Sequence, residues 1–199
     1  RSLVAVRSVT RMSHASGNVK VGKLPGTDKH AEFRYSGFIL DPMEGLVGSA
    51  PVAFRHGVQQ DRIKKVREIF EESPFNTYEG PDKPELLIIT SSACTLYSRE
   101  AIQLLGLKNR VGLLKIGTTW PLPPRLITKY LSLTDRILIV EEVISFLEDN
   151  VKIVAAEQAH AIGAKTFYGK NDGTLPSTGE MNPDHVVNAL CKILNMIYV

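Results

Sequence analysis

Leu86-Leu87-Ile88-Ile89-Thr90, followed at once by Ser91-Ser92, is the stretch whose reading decides the fold. A short uncharged run without alternation marks a parallel strand covered on both faces, and hydroxyls directly after it suit a helix N-cap. The helix that follows is expected to bury Tyr97, Ala101, Leu104 and Leu105 and to stop at Gly106. The same unit then repeats. Residues 111–116 form a second apolar run with a short helix over 124–131, and Arg136-Ile137-Leu138-Ile139-Val140 is a third. Its helix opens with Ser145-Phe146-Leu147-Glu148, the spacing of a capping box, and turns Leu147, Val151, Val154 and Ala155 inward. Lys165-Thr166-Phe167-Tyr168 reads as a weaker edge strand. Asn182-Pro183 reads as cap and first residue of a last helix that buries Val187, Leu190, Cys191 and Leu194. Successive strand-plus-helix units predict an α/β fold: an open, mainly parallel sheet with helices on both faces.

Upstream, Ile63, Val66 and Phe70 recur at helical spacing between 58 and 72, with Asp61/Lys65, Lys64/Glu68 and Arg67/Glu71 as opposite-charge i,i+4 pairs on the other faces. Ser73-Pro74 ends this amphipathic helix, and Gly80-Pro81-Asp82-Lys83-Pro84 leads into the sheet. Residues 17–44, rich in Gly, Pro, Asp and Lys and without a period, read as a long loop. Residues 3–9 have the β-branched content of a strand, which needs a sheet to join. Because that strand-like stretch starts at Arg1 without an initiator Met, the chain is expected to be a piece of a larger protein. The resulting division is 1–56 as remnant and loop, 57–84 as linker helix and lead-in, and 85–199 as the α/β domain.

The whole chain has 199 residues, 43% hydrophobic and 23% charged, enough for one sizeable core and a small appendage. No window approaches the roughly eighteen apolar residues of a membrane span, and no secretory leader is visible, so a cytoplasmic address is expected. A net charge of +3 from dispersed charges of both signs, with 7% aromatics, argues against a nucleic-acid partner. Cys94 and Cys191 lie far apart, without ligand spacing, and no metal site is expected.

Ligands of open α/β sheets sit beyond the C-terminal ends of the strands. The places to search are therefore 91–94, 117–120, Glu141-Glu142 and 169–173. Ser91 and Ser92 at a helix start are candidate cofactor contacts, and Cys94 there is a candidate thiol, but the Gly-rich geometry of a phosphate cradle is absent. In Gly117-Thr118-Thr119-Trp120-Pro121-Leu122-Pro123-Pro124 three prolines remove the donors a cradle needs. That turn reads instead as a rigid connector, or as a surface on which another domain packs through Trp120. Glu141 and Glu142, leaving a strand in succession, point to opposite sides. A carboxylate bonded to nearby loop amides is preferred there over acid–base catalysis. Gly169-Lys170-Asn171-Asp172-Gly173 reads as a tight loop with a solvated lysine. His14, His30, His56, His160 and His185 show no metal-ligand spacing, and only His14, close to Arg11, is placed near a strand end.

Five further stretches carry a resemblance. They are Thr10-Arg11-Met12-Ser13-His14; Ser73-Pro74-Phe75-Asn76; Ile116-Gly117-Thr118-Thr119-Trp120-Pro121-Leu122-Pro123; Val140-Glu141-Glu142 with Phe146-Leu147-Glu148; and Gly169-Lys170 with Gly179-Glu180-Met181-Asn182-Pro183. In order and spacing they resemble the alpha subunit of the thiamine diphosphate-dependent 2-oxoacid:ferredoxin oxidoreductases, in the indolepyruvate branch. Trp120 for the family's usual Tyr and Met181 for its Leu are mild departures. The resemblance implies the tail of a pyrimidine-binding domain followed by a transketolase C-terminal-domain-like α/β domain. It places the glutamate that activates the cofactor, the metal–diphosphate loop and the cluster cysteines outside residues 1–199. For the full-length protein it implies thiamine diphosphate, magnesium, iron–sulfur clusters, a ferredoxin partner and a homo- or hetero-oligomer. Arg11 and His14 are the only substrate-side candidates it offers, and Trp120, Val66 and Phe70 are candidate contacts with neighbouring domains. The expected role is a non-catalytic, structural part of such an enzyme; the alternative is a free-standing nucleotide- or CoA-binding α/β domain.

Overall fold

Strand β1 (Thr77–Glu79) is an edge that the sequence pattern does not announce: three residues long, it pairs antiparallel with β3 (Val111–Lys115). β2 (Leu86–Thr90) lies at the centre of the sheet, with β3 on one side and β4 (Arg136–Val140) on the other, both parallel to it, and β5 (Thr166–Tyr168) forms the far edge. The order is thus β1-β3-β2-β4-β5. A computed structural model describes residues 13–23, 26 and 49–197, the side chains of 49–51 excepted. The expected strand at 3–9, Arg11, His30 and most of the 17–44 loop lie outside the described residues. The chain divides into two units, Arg1–Lys65 and Val66–Val199.

Alternation along the strands builds two cores. Leu86 and Ile88 of β2, with Leu138 and Val140 of β4, face helices α2 (Cys94–Leu104) and α6 (Pro183–Leu194). Leu87 and Ile89, with Ile137 and Ile139, face α3 (Pro124–Leu131) and α4 (Phe146–Glu157). A short helix α5 (Ala159–Ile162) precedes β5. Every residue of β2 is buried, as expected for a central strand covered on both faces. The α/β class read from the sequence is the one observed.

Local signals account for several element ends. Helix α2 stops in a Schellman arrangement: the Leu107 amide donates to the Ile102 carbonyl at 2.9 Å and the Gly106 amide to Gln103 at 3.2 Å, with Gly106 at φ +65°. Asn182 accepts from the His185 amide at 3.0 Å, so the Asn-Pro start of α6 is a true cap. The expected inward face of α4 is also found, since Leu147, Val151, Val154 and Ala155 are all buried.

Other expectations need correction. Ser91 and Ser92 do not cap α2: its N-cap is Ala93, without a side-chain hydrogen bond, and Ser92 sits at φ +55°. On α2, Leu104 is exposed while Ser98 and Ile102 are buried, because the sheet-facing stripe runs through 94, 98, 101 and 102. Cys191 is half-buried. Helix α1 spans Ser49–Phe70, starting earlier than its periodicity suggests. Along it Ile63, Val66 and Phe70 are only half-buried.

Ile88, fully buried between parallel neighbours, fixes the register of the sheet. Ile88→Ala is expected to lower unfolding free energy by ~2–5 kcal/mol, read from the guanidinium midpoint by circular dichroism.

Candidate functional site

The crossing order points to one crevice. β3 is added on one side of β2 and β4 on the other, so the winding reverses between β2 and β4, and the ligand position of such a sheet lies beyond their C-terminal ends. The loops there start helices α2, α3 and α4, and each helix start leaves backbone N–H groups that need acceptors.

At α4 the acceptor is Glu141. Its carboxylate is 1% exposed and accepts from the amides of Leu147 at 2.7 Å and Glu148 at 2.8 Å. The expected Ser145/Glu148 capping box is therefore not formed. Ser145 turns its hydroxyl to Asp149 at 3.3 Å. Glu148 reaches instead to the β5–α6 loop, accepting from the amides of Lys170 at 2.9 Å and Asn171 at 3.2 Å and from the Lys152 ammonium at 2.6 Å. A side chain on Gly169 would collide with that carboxylate and push it away from these amides. Glu142, also buried, accepts from the Met181 amide at 3.3 Å.

At α3 the acceptor comes from the far end of the chain's linker. Glu71 accepts from the amides of Arg125 at 3.0 Å and Leu126 at 2.8 Å, and Arg125 bonds Glu68 at 2.8 Å. Glu68 and Glu71 are thus taken up by α3, where the sequence suggested pairs along α1. Beside them Asn76 accepts from the Gly117 amide at 2.9 Å and the Thr118 amide at 3.2 Å, while its NH2 donates to the Phe70 carbonyl at 3.0 Å. Two of the amides that the prolines leave in the 117–124 turn, those of Gly117 and Thr118, are therefore bound within the protein.

In the β5–α6 loop, Asp172 accepts from the amides of Gly169 at 2.8 Å and Thr174 at 3.1 Å and from the Thr174 hydroxyl at 2.7 Å. Burial opposes its ionisation, yet these hydrogen bonds together hold its carboxyl below the usual aspartate range. Lys170, read from the sequence as solvated, is 7% exposed and donates to the Pro176 carbonyl at 2.8 Å.

Two features remain unabsorbed. The start of α2 has no side-chain cap, and the hydroxyls of Thr90, Thr95 and Ser98 are buried without partners. Thr90 has the strand parity of Leu86 and Ile88, which places it on the α2 side of the sheet. These atoms are enclosed, so no ligand reaches them from solvent. The second feature is apolar. Trp120 is 58% exposed and meets Phe146 edge-on at 6.3 Å, and Val143 and Ile144, in the loop before Phe146, are 53% and 62% exposed.

The candidates read from the sequence thus separate. Ser91 is buried and Ser92 exposed at the α2 start; Trp120 is exposed; Val66 and Phe70 are half-buried; His14 is exposed. Among the described residues no three His, Cys, Asp or Glu side chains are placed to hold a metal ion, and no helix is long and apolar enough to cross a membrane. The carboxylate caps were the part the sequence did not disclose. Only the preference for a carboxylate of the Glu141-Glu142 pair as an acceptor of loop amides pointed toward them.

No family model matches the chain. It is 34% identical over 194 residues to indolepyruvate oxidoreductase subunit IorA of Pyrococcus horikoshii, covering 98% of this chain and 29% of that relative. It is 33% identical over 188 residues to the IorA subunit of Methanothermobacter thermautotrophicus, covering 94% of this chain and again 29% of the relative. The chain therefore spans about 29% of the length of the curated relatives it matches. Among solved structures it is similar to a 2-oxoglutarate:ferredoxin oxidoreductase from Magnetococcus marinus, with TM-score 0.54 and 19% identity over 84% of this chain and 27% of that one. That likeness shows the fold.

Glu141→Ala strands two amides at a helix start and is expected to cost ~2–4 kcal/mol, while Glu141→Gln, keeping one acceptor, costs about half as much. Guanidinium unfolding of both variants checks the ranking.

Proposed function

The chain belongs to the family of indolepyruvate oxidoreductase IorA subunits, and from that premise we propose that it is the non-catalytic, structural part of an enzyme that oxidatively decarboxylates an aryl 2-oxoacid to an acyl-CoA. Ferredoxin takes the electrons in this reading. Thiamine diphosphate, magnesium and iron–sulfur clusters belong to other parts of the full-length protein. Residues 1–56 are then the tail of a pyrimidine-binding domain, 57–84 a linker, and 85–199 a supporting α/β domain, in a cytoplasmic assembly.

One observation carries the proposal. Glu71 takes the amides that start α3 and Glu141 those that start α4, while Glu148 takes those of the β5–α6 loop, at the edge of the sheet where an anionic cofactor would sit. A diphosphate does not fit: it would have to displace buried carboxylates from hydrogen bonds that are themselves charge-assisted. No cofactor step is routed through these residues. What the edge does offer is an exposed aromatic and aliphatic surface around Trp120, of the kind that covers a neighbouring domain.

The start of α2 favours a second reading, a nucleotide- or CoA-binding domain, because Ser91 and Ser92 stand at a helix without a side-chain cap. Glu142 argues against it. This buried carboxylate is bonded to the amide of Met181, whose side chain lies in the α2-side core, and there it repels a phosphate.

Hydroxyl-radical footprinting of Trp120 separates a covered from an open surface. In the 199-residue chain the ring is expected to oxidise readily, and in the full-length protein at least ~tenfold more slowly; Trp120→Arg is expected to weaken assembly without lowering the melting temperature of the isolated chain. Equal oxidation in both forms, with Trp120→Arg assembling normally, overturns the packing role.

A further inference from the structure

Away from the crevice, a hollow of about 240 Å³ opens between α2 and the β1–β3 margin of the sheet. Its floor is Ile102, Val111 and Leu113, none more than 6% exposed. These side chains belong to the α2-side core, and the hollow exists because β1 extends the sheet beyond the helix that covers β2 and β3. Gly80 keeps the margin thin. A side chain there would collide with the backbone of Gly112 and Val111, and its φ of +141° is one that other residues rarely adopt.

The rim carries charge in a defined pattern. Arg99 donates through Nε and Nη2 to the two oxygens of Glu79, at 3.1 and 2.5 Å, so this pair is internally compensated. The hydrogen bond from Arg99 holds Glu79 below the usual glutamate range, and Lys115 adds to that field. Lys108, the third charged group on the rim, is exposed and has neither a hydrogen bond nor an ion pair among the described residues. The rim therefore presents one ammonium in excess. A strongly hydrated inorganic anion gains nothing from the apolar floor, and a neutral ligand gains nothing from Lys108. The volume lies below the ~300–1,000 Å³ of drug-sized sites, which limits the occupant to about one ring.

We propose that this hollow binds a small monocarboxylate with a flat apolar body, the carboxylate on Lys108 and the body on Ile102, Val111 and Leu113. The site is distinct from the crevice and does not depend on the assembly role.

Benzoate is the probe, titrated into the isotopically labelled 199-residue chain and followed by amide chemical shifts. Saturable shifts are expected at Gly80, Ile102, Lys108 and Val111, with a Kd of ~1 mM or tighter. Benzyl alcohol, which keeps the ring and loses the charge, is expected to bind at least ~tenfold more weakly. Lys108→Glu is expected to weaken benzoate by a similar factor with an unchanged thermal midpoint, while Lys129→Glu, at an exposed position on α3, which covers the other side of the sheet, leaves it unchanged. The proposal is overturned by shifts that do not saturate at these amides, by equal binding of benzyl alcohol, or by equal effects of the two lysine variants.

Discussion

Backbone amides left over where parallel strands hand on to helices are the constraint on which this structure depends. Each must find an acceptor, and a buried one left unpaired costs ~1–3 kcal/mol. Enzymes built on such sheets commonly leave these amides to a ligand. Here Glu71, Glu141 and Glu148, with Asn76 and Asp172, take them instead. The same bonds make burial of the carboxylates tolerable, because a buried polar or charged group is costly unless it is hydrogen-bonded. Loop closure and charge burial are thus one arrangement, and it leaves the crevice without a vacant phosphate cradle at α3, α4 or the β5–α6 loop.

The arrangement also fixes the end of α1. Glu68 on its last turn, with Glu71 and Asn76 just beyond it, holds the 117–126 segment through backbone amides and Arg125. Gly117 is part of the fit, since a side chain there would strike the backbone of Phe75. The Gly-Thr-Thr-Trp-Pro stretch, which stands where a ligand loop would but reads in the sequence as a rigid connector, is a docking point for the linker. With the Gly117 and Thr118 amides engaged, its most exposed apolar group is the Trp120 ring.

The parts legible in the sequence were those written in local periodicity. The runs at 86–90, 111–115 and 136–140, the Asn182-Pro183 cap, the Gly106 stop and the inward face of α4 all depend on residues within one turn or one strand of each other. What stayed hidden depends on partners far apart. Asn76 and Gly117 are 41 positions apart, and Glu71 and Leu126 are 55 apart. The capping-box spacing at Ser145 was misleading for the same reason: Glu141 and the β5–α6 loop compete for its members, and a buried carboxylate with several donors outweighs a local cap. β1, three residues long with only Tyr78 half-buried, carries no pattern of its own.

The central claim is that the starts of α3 and α4 and the β5–α6 loop are closed to anionic cofactors by the protein's own carboxylates. Isothermal titration of the 199-residue chain with thiamine diphosphate plus magnesium, and separately with coenzyme A, tests it most directly. The account predicts no saturable heat for either. Stoichiometric binding of either, lost on substitution at the crevice, would contradict it.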